Sequence, residues 1–242
     1  MEMTIKSYVN QLSSSSPTPG GGGTSALFGA LGSALGSMVA ALTTGKRKYA
    51  EYEEDIQKIL AETARFNQQF LELMEADEKA FAPLSRAYGI SKDDPARDSI
   101  LEEALKGAAE PPVQVLHTCS SLIEVLEELA VKGSRLAVSD AACGAAACEA
   151  AAKAASMNIF INTKLLKDRS YAQVLNRAAV TETENICSRC EALQSQIRAK
   201  LLTSRMDDPA QNLWFAETPE FSPVRQLRGM PVVKSMCAAL SP

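Results

Sequence analysis

Histidine and aromatic residues are scarce in this chain of 242 residues, and no charge of one sign accumulates on it. Aromatic side chains make up 5% of the sequence and His117 is the single histidine. Because Ser-His-Asp and Cys-His sites both need a histidine, one helix-borne histidine in an apolar pattern gives that chemistry little support. The net charge of −4, without a basic face, also argues against nucleic acid as a partner.

The sequence also lacks an apolar secretory leader, since its first twelve residues, MEMTIKSYVNQL, are amphipathic. We therefore expect a cytoplasmic protein whose cysteines are reduced thiols. Of the six cysteines, Cys187 and Cys190 form the single close pair, within a helical pattern and with no histidine nearby. This spacing favours thiols carried by a helix over a zinc site, and we expect no bound metal.

No segment alternates apolar and polar residues for long enough to indicate a β-strand. Helical patterns cover 4–12, 24–44, 46–88, 96–132 with an interruption at Pro111-Pro112, 140–166 and 170–202. The predicted fold class is therefore all-α, a single domain built as a bundle of long helices over residues 1–206. Prolines and the loss of periodicity predict an irregular C-terminal tail over 207–242.

The segment 24–44 carries no charge, so a membrane span is one interpretation of it. The segment is rich in Gly, Ser and Ala, residues that let helices approach closely, and a charged helix follows it directly. We therefore favour a buried helix of a soluble protein over a membrane span. This helix and the Ala-rich helix over 140–157 are expected to pack at the centre of the bundle or to form the face of a homodimer.

A stripe with alternating spacings of four and three residues predicts that the long third helix packs against partner helices. Its members are Tyr52, Ile56, Ile59, Thr63, Phe66, Phe70, Leu73, Asp77, Ala80 and Leu84. Asp77 thus stands where an apolar residue is expected, and burying an unpaired carboxylate is costly or raises its pKa. Two interpretations remain open: a functional carboxylate, or a buried cap or ion pair with Lys46, Arg86 or another cation.

The run Pro19-Gly20-Gly21-Gly22-Gly23 precedes the second predicted helix. Consecutive glycines let a backbone approach a ligand closely, and the free N–H groups at a helix start bind anions. The run is not a Walker A loop, because no Gly-Lys-Ser/Thr closes it at the required spacing. A flexible connector is the other interpretation.

Polar residues on the Ala-rich helix form a further candidate group. Asn158 and Asn162 are four residues apart and share one face, where two amides can grip a polar ligand. Ser139-Asp140 has the sequence of an ordinary helix cap. In a continuous helix Asp140 and Asn158 lie about 27 Å apart, so one site can use both only across a helix break or with a second subunit.

Taken together, these motifs form a recognisable set in a fixed order. They are Pro17-Thr18-Pro19-Gly20-Gly21-Gly22, Gly36-Ser37-Met38-Val39, Leu42-Thr43-x-Gly45-Lys46-x-x-Tyr49, Asp77-x-x-Ala80-Phe81, Ser139-Asp140 and Asn158-x-x-Ile161-Asn162. Over about residues 4–203 the set resembles the formiminotransferase-cyclodeaminase family, specifically its cyclodeaminase domain and the stand-alone methenyltetrahydrofolate cyclohydrolases. The sequence departs from the family pattern at Ser134, where the family commonly has asparagine.

The resemblance implies an all-helical homodimer that acts on one-carbon tetrahydrofolates, without a metal or a further cofactor. Members either release ammonia from 5-formiminotetrahydrofolate to give the 5,10-methenyl form or hydrolyse that form to 10-formyltetrahydrofolate, and the sequence is consistent with both. A non-catalytic folate-binding or scaffold relative is the alternative.

The resemblance also assigns candidate roles to residues of this chain. Asp77 matches the family's catalytic aspartate. The substrate-binding candidates are Pro19, Gly20, Gly21, Gly22, Gly23, Lys46, Tyr49, Asp140, Asn158 and Asn162. We expect the glycine amides and Lys46 or Arg47 to hold the glutamate carboxylates of the folate, and Asn158 and Asn162 to hydrogen-bond the pterin edge. Glu75 and Glu78 fall off the buried stripe and are interpreted as solvated.

Overall fold

The structure, a computed structural model, describes residues 3–203 and is all-helical over that range. Its helices are α1 (Ile5–Leu12), α2 (Gly21–Ala41), α3 (Glu53–Tyr88), α4 (Arg97–Lys132), α5 (Val138–Thr163) and α6 (Arg169–Thr203), with a 3₁₀ helix over Arg47–Tyr52. Within the described range, the residues up to Arg198 form one compact unit, which confirms the prediction of a single all-α domain for that part of the chain. The predicted tail over 207–242 lies outside the described residues, so its boundary stays a prediction.

The stripe predicted along α3 is buried. Its buried members are Ile56, Ile59, Thr63, Phe66, Phe70, Leu73 and Leu84. Each large apolar side chain that is buried in this way stabilises the fold by about 1.5–3 kcal/mol. Asp77, in the same stripe, is half-buried, so α3 carries this carboxylate to the edge of the core.

The two small-residue helices pack closely at the centre of the bundle, as their composition predicts. A β-carbon at Gly32 of α2 would lie 3.0 Å from the carbonyl oxygen of Gly144 in α5, and one at Gly144 would lie 3.1 Å from the carbonyl oxygen of Gly32. A β-carbon at Gly29 would lie 2.4 Å from the ring of Phe70 in α3. Glycine at these positions therefore sets how near α2 comes to its neighbours.

Helix α2 is also the helix, within residues 3–203, that is long and apolar enough to cross a membrane by length and composition. Half of its most apolar window is buried inside the protein. The other half includes exposed leucine and methionine side chains, among them Leu31 and Met38. The high hydropathy of α2 therefore has two sources, which are its buried face and an apolar face on the outside of the protein.

Helix α4 differs from the prediction, because it runs through Pro111 and Pro112 without interruption. Proline has no N–H, so Pro112 leaves the carbonyl oxygen of Ala108 without its partner within the helix. The side-chain Nδ2 of Asn162, in α5, donates a hydrogen bond to that oxygen at 2.9 Å. A neighbouring helix thus satisfies the carbonyl group and keeps α4 continuous.

Candidate functional site

Asp77 lies directly against the first turn of α2. Its Oδ2 accepts a hydrogen bond from the Gly23 N–H at 2.8 Å. A β-carbon at Gly22 would lie 2.0 Å from Asp77 Oδ1 and 2.5 Å from Cγ. Only glycine fits at position 22 while the carboxylate stays where it is. The contact joins two of the sequence candidates, the glycine run and the aspartate.

The sequence predicts that α2 begins at residue 24, whereas in the structure it begins at Gly21. The contact with Asp77 explains this earlier start. Gly20, the N-cap residue, has no side chain with which to cap the first turn. The carboxylate of Asp77 supplies the missing acceptor from α3, and a negative charge at a helix N-terminus is favourable. The glycines are therefore part of a helix and not of a flexible connector.

Burial raises the pKa of Asp77 above its ordinary value, and the negative charge of Glu78 acts in the same direction. The Gly23 N–H opposes both effects by stabilising the ionised form. Among residues 3–203, Asp77 has no cationic side chain within ion-pair distance. The interpretation of Asp77 as a partner of Lys46 or Arg86 is therefore wrong, while that of a buried cap is correct in part.

This geometry revises the role expected of the glycine amides. The N–H of Gly23 is already bonded to Asp77, and a folate carboxylate placed there would meet a like charge. We therefore infer that the glycine run holds Asp77 in place and does not bind the glutamate carboxylates of the folate.

Helix α1 fastens the residues that precede α2. The Tyr8 hydroxyl is 3.1 Å from Thr24 Oγ1. The Thr24 hydroxyl donates a hydrogen bond to the Gly20 carbonyl oxygen at 2.8 Å. Gln11 Nε2 donates to the Thr18 carbonyl oxygen at 2.9 Å, next to the cis peptide bond that precedes Pro19. Pro19 and the glycines are thereby held in one conformation from the α1 side.

Helix α3 fastens the same segment through Glu78. The Thr18 hydroxyl donates to Glu78 Oε1 at 3.2 Å, and Glu78 is half-buried. The interpretation of Glu78 as a solvated residue is therefore wrong. Tyr8 and Thr18 also belong to the site and were not candidates. The apolar spacing of α1 indicates that Tyr8 is buried, but no local pattern pairs Thr18 with a residue so distant in sequence.

Of the two asparagines, Asn158 is the one beside the glycine run. A β-carbon at Gly21 would lie 3.2 Å from Asn158 Nδ2, which donates to the carbonyl oxygen of Ala154 at 2.8 Å. Asn162 lies one turn further along α5, and its Nδ2 bonds α4, as described above. The geometry thus gives Asn162 a structural role and leaves Asn158 as the amide of the site. We call Asp77, Gly20–Gly23 and Asn158 the Asp77 corner.

The remaining candidates lie at the other end of α2, where Tyr49 is held beside the link from α4 to α5. The Tyr49 hydroxyl accepts a hydrogen bond from the Arg135 N–H at 3.0 Å, and Thr43 Oγ1 accepts one from the Ser134 N–H at 2.8 Å. We call Lys46, Tyr49 and Asp140 the Tyr49 corner, since Lys46 and Asp140 adjoin these two segments.

The two corners are far apart within one subunit. Helix α2 has 21 residues and α5 is unbroken over Val138–Thr163. At about 1.5 Å per residue, α2 separates the corners by about 30 Å. One subunit therefore does not bring the two sets of candidates together.

A groove of about 800 Å³ adjoins the Asp77 corner between α1, α2 and α3. Tyr8, Thr24 and Met74 line it and also border the glycine run. The rest of its wall is mainly apolar, from α1 and the outer faces of α2 and α3. The Asp77 corner is therefore next to a concave, largely apolar surface and not sealed inside the core.

Fold and site together define an all-helical protein in which a half-buried carboxylate, without a cationic partner among the described residues, rests on a glycine turn. Residues 4–181 match the family model for formiminotransferase-cyclodeaminase. The chain therefore belongs to the formiminotransferase-cyclodeaminase family, as the motifs predict.

Named relatives agree with this assignment. A methenyltetrahydrofolate cyclohydrolase of Methylorubrum extorquens is 35% identical over 198 residues, which cover 80% of this chain and 93% of that protein. A formimidoyltransferase-cyclodeaminase of Rattus norvegicus is 31% identical, over 69% of this chain and 32% of that longer protein. The structure of a formiminotetrahydrofolate cyclodeaminase from Thermotoga maritima matches with a TM-score of 0.72 and 27% identity, over 81% of this chain and 98% of that one.

Proposed function

We propose that this protein is a cytoplasmic enzyme of one-carbon tetrahydrofolate chemistry and that Asp77 is its catalytic carboxylate. The observation that carries the proposal is that Asp77 is half-buried and forms no ion pair with a cationic side chain among the described residues. The 5,10-methenyl bridge of the folate is a delocalised cation. A carboxylate removed from water stabilises such a cation far better than water does.

Hydrolysis of the methenyl form requires a water molecule to attack the bridging carbon and lose a proton. Ionised Asp77 accepts that proton. The hydroxyl group now on the carbon loses its remaining proton and N5 gains a proton as the carbon–N5 bond breaks, which leaves the formyl group on N10. The raised pKa of Asp77 suits this task, because a stronger base takes the proton more readily.

Deamination of the 5-formimino form uses the same group in the opposite sense. N10 attacks the formimino carbon and its proton passes to the formimino nitrogen, protonated Asp77 delivers a second proton to that nitrogen, and ammonia leaves as the methenyl cation forms. Both reactions place positive charge at the same carbon, so one carboxylate serves either. The identity and coverage of the cyclohydrolase relative make hydrolysis the first reaction to assay.

The neighbours of Asp77 suggest how the substrate is oriented. Asn158, beside Gly21, can hydrogen-bond the polar edge of the pterin through its amide. The apolar groove beyond Tyr8 and Thr24 adjoins the same corner. Ligand sites of this kind combine apolar walls with a few polar groups that fix orientation.

We further propose that the protein acts as a homodimer in which the outer face of α2 meets its copy. Leu31 and Met38 on that face are 49% and 40% exposed, and Leu27 and Leu35 lie half-buried beside them. A two-fold axis across the middle of α2 makes the two α2 helices antiparallel. The Asp77 corner of one subunit then faces the Tyr49 corner of the other, which unites the separated candidates.

Subunit mixing tests the dimer. Asp77→Asn and Lys46→Ala subunits, each expected to be inactive alone, are co-expressed. Lys48→Ala, a neighbouring surface variant, is the control and is expected to stay active alone. In a shared site about half of the dimers are mixed and hold one intact site, which gives about a quarter of wild-type activity. No recovery in a mixed dimer, or full activity of a monomer, contradicts the proposal.

The wild-type activity tests the proposed function. Loss of methenyltetrahydrofolate absorbance is followed in one assay and ammonia release from 5-formiminotetrahydrofolate in the other. We expect the enzyme to accelerate at least one of them above the rate in buffer. No acceleration of either by folded, dimeric protein would favour a non-catalytic folate-binding relative.

A further inference from the structure

Glu78 is the side chain beside Asp77 for which the proposed mechanism has no use. It follows Asp77 in α3, is half-buried, and accepts the hydroxyl proton of Thr18 at 3.2 Å. Thr18 lies immediately before Pro19 and the glycine run. Glu78 thus joins the helix that carries Asp77 to the segment on which Asp77 rests.

We propose that Glu78 is a second functional carboxylate of the Asp77 site, which positions the glycine run through Thr18 and places a second negative charge beside the reacting carbon. This inference rests on the proposed function and adds a residue to it. The positioning role follows from the hydrogen bond. The electrostatic role follows from the partial burial of both carboxylates, since charges removed from water interact strongly.

The groups around the corner leave Glu78 as the main charge that acts on Asp77. Helix α1 contributes the phenol of Tyr8, and α5 contributes the neutral Asn158. The contacts of α2 are made by glycine backbone. On α3, the nearby charged side chains Glu75 and Lys79 form an ion pair with each other at 3.4 Å. The like charge of Glu78 is accordingly one of the causes of the raised pKa of Asp77.

Two variants separate the two roles. Glu78→Gln removes the charge and keeps an oxygen that can accept the Thr18 hydroxyl, whereas Thr18→Val removes the hydrogen bond and keeps the charge. Glu62→Gln, at an exposed position of α3, is the matched control for loss of one negative charge. Carboxyl NMR titration of Asp77, assigned by comparison with Asp77→Asn, and the pH profile of kcat are measured for each.

Glu78→Gln is expected to lower the pKa of Asp77 by about half a unit and to move the matching limb of the kcat profile equally. Thr18→Val is expected to leave that pKa in place and to lower kcat/KM about five- to tenfold. Glu62→Gln is expected to change neither measurement.

An unchanged pKa of Asp77 in Glu78→Gln overturns the inference, as do identical effects of Glu78→Gln and Thr18→Val on both measurements. If the wild type is inactive on both folates, the proposed function fails. The NMR titration does not depend on turnover, so it still decides whether Glu78 sets the charge of Asp77.

Discussion

Alanine at Gly22 should displace the catalytic carboxylate, because the new methyl group would take the place of Asp77 Oδ1. The β-carbon would lie 2.0 Å from that oxygen, whereas ordinary contacts are 3.4 Å or longer. The carboxylate must therefore retreat by more than an ångström. A displacement of about 1 Å from the productive geometry costs about 100-fold in rate, and we expect kcat of Gly22→Ala to fall by at least that factor.

Alanine at Gly23, the adjacent position, is the matched control. Its β-carbon would lie 3.7 Å from Asp77 Oδ2 and 3.9 Å from the Tyr8 hydroxyl, which are ordinary contacts. The N–H that Asp77 accepts is retained. Because alanine is favoured over glycine inside a helix by about 1 kcal/mol, Gly23→Ala should stabilise the protein and keep its activity.

The activity of both variants is measured by the loss of methenyltetrahydrofolate absorbance, or by ammonia release if deamination is the reaction. Thermal unfolding shows whether each variant is folded. Combining Gly22→Ala with Asp77→Asn should give no loss beyond the single variants, since both act through one carboxylate. Equal activity of Gly22→Ala and Gly23→Ala would refute the reasoning, because the two differ in their distance from Asp77.

Two further predictions concern stability. Since burial raises the pKa of Asp77, the folded state holds its proton more tightly than the unfolded chain, and stability falls as the pH rises from the ordinary value through the raised one. Asp77→Asn should therefore raise Tm at pH 8, and raise it progressively less towards about pH 4, whereas a dominant capping role would lower Tm. Asn162→Ala should lower the free energy of unfolding by about 1–3 kcal/mol in urea titrations, because it strands the Ala108 carbonyl oxygen. Adding Pro112→Ala supplies an N–H for that oxygen and should recover most of the loss, and additive losses would contradict this account.

The sequence predicts those features of the fold that follow from the spacing of residues along a single helix. The stripe along α3 identifies both the buried face and the misplaced Asp77, because a period near 3.6 places those residues on one side of a helix. Small residues in α2 and α5 likewise predict close packing, which the contact between Gly32 and Gly144 confirms.

The features that it does not predict depend on partners distant in the chain. The start of α2 at Gly21 needs the cap from Asp77, which is 54 residues from Gly23. The continuity of α4 through its prolines needs Asn162, which is 54 residues from Ala108. The role of Glu78 needs Thr18, 60 residues away. Periodicity carries no signal for such pairs.

The kcat of Asp77→Asn on the substrate that the wild type turns over tests the central claim most directly. The variant keeps the size of the side chain and an acceptor for the Gly23 N–H, but it can neither exchange a proton nor carry the charge that stabilises the methenyl cation. We predict that kcat falls by about 100-fold or more while the protein stays folded. A kcat within about twofold of the wild type would remove Asp77 from the mechanism.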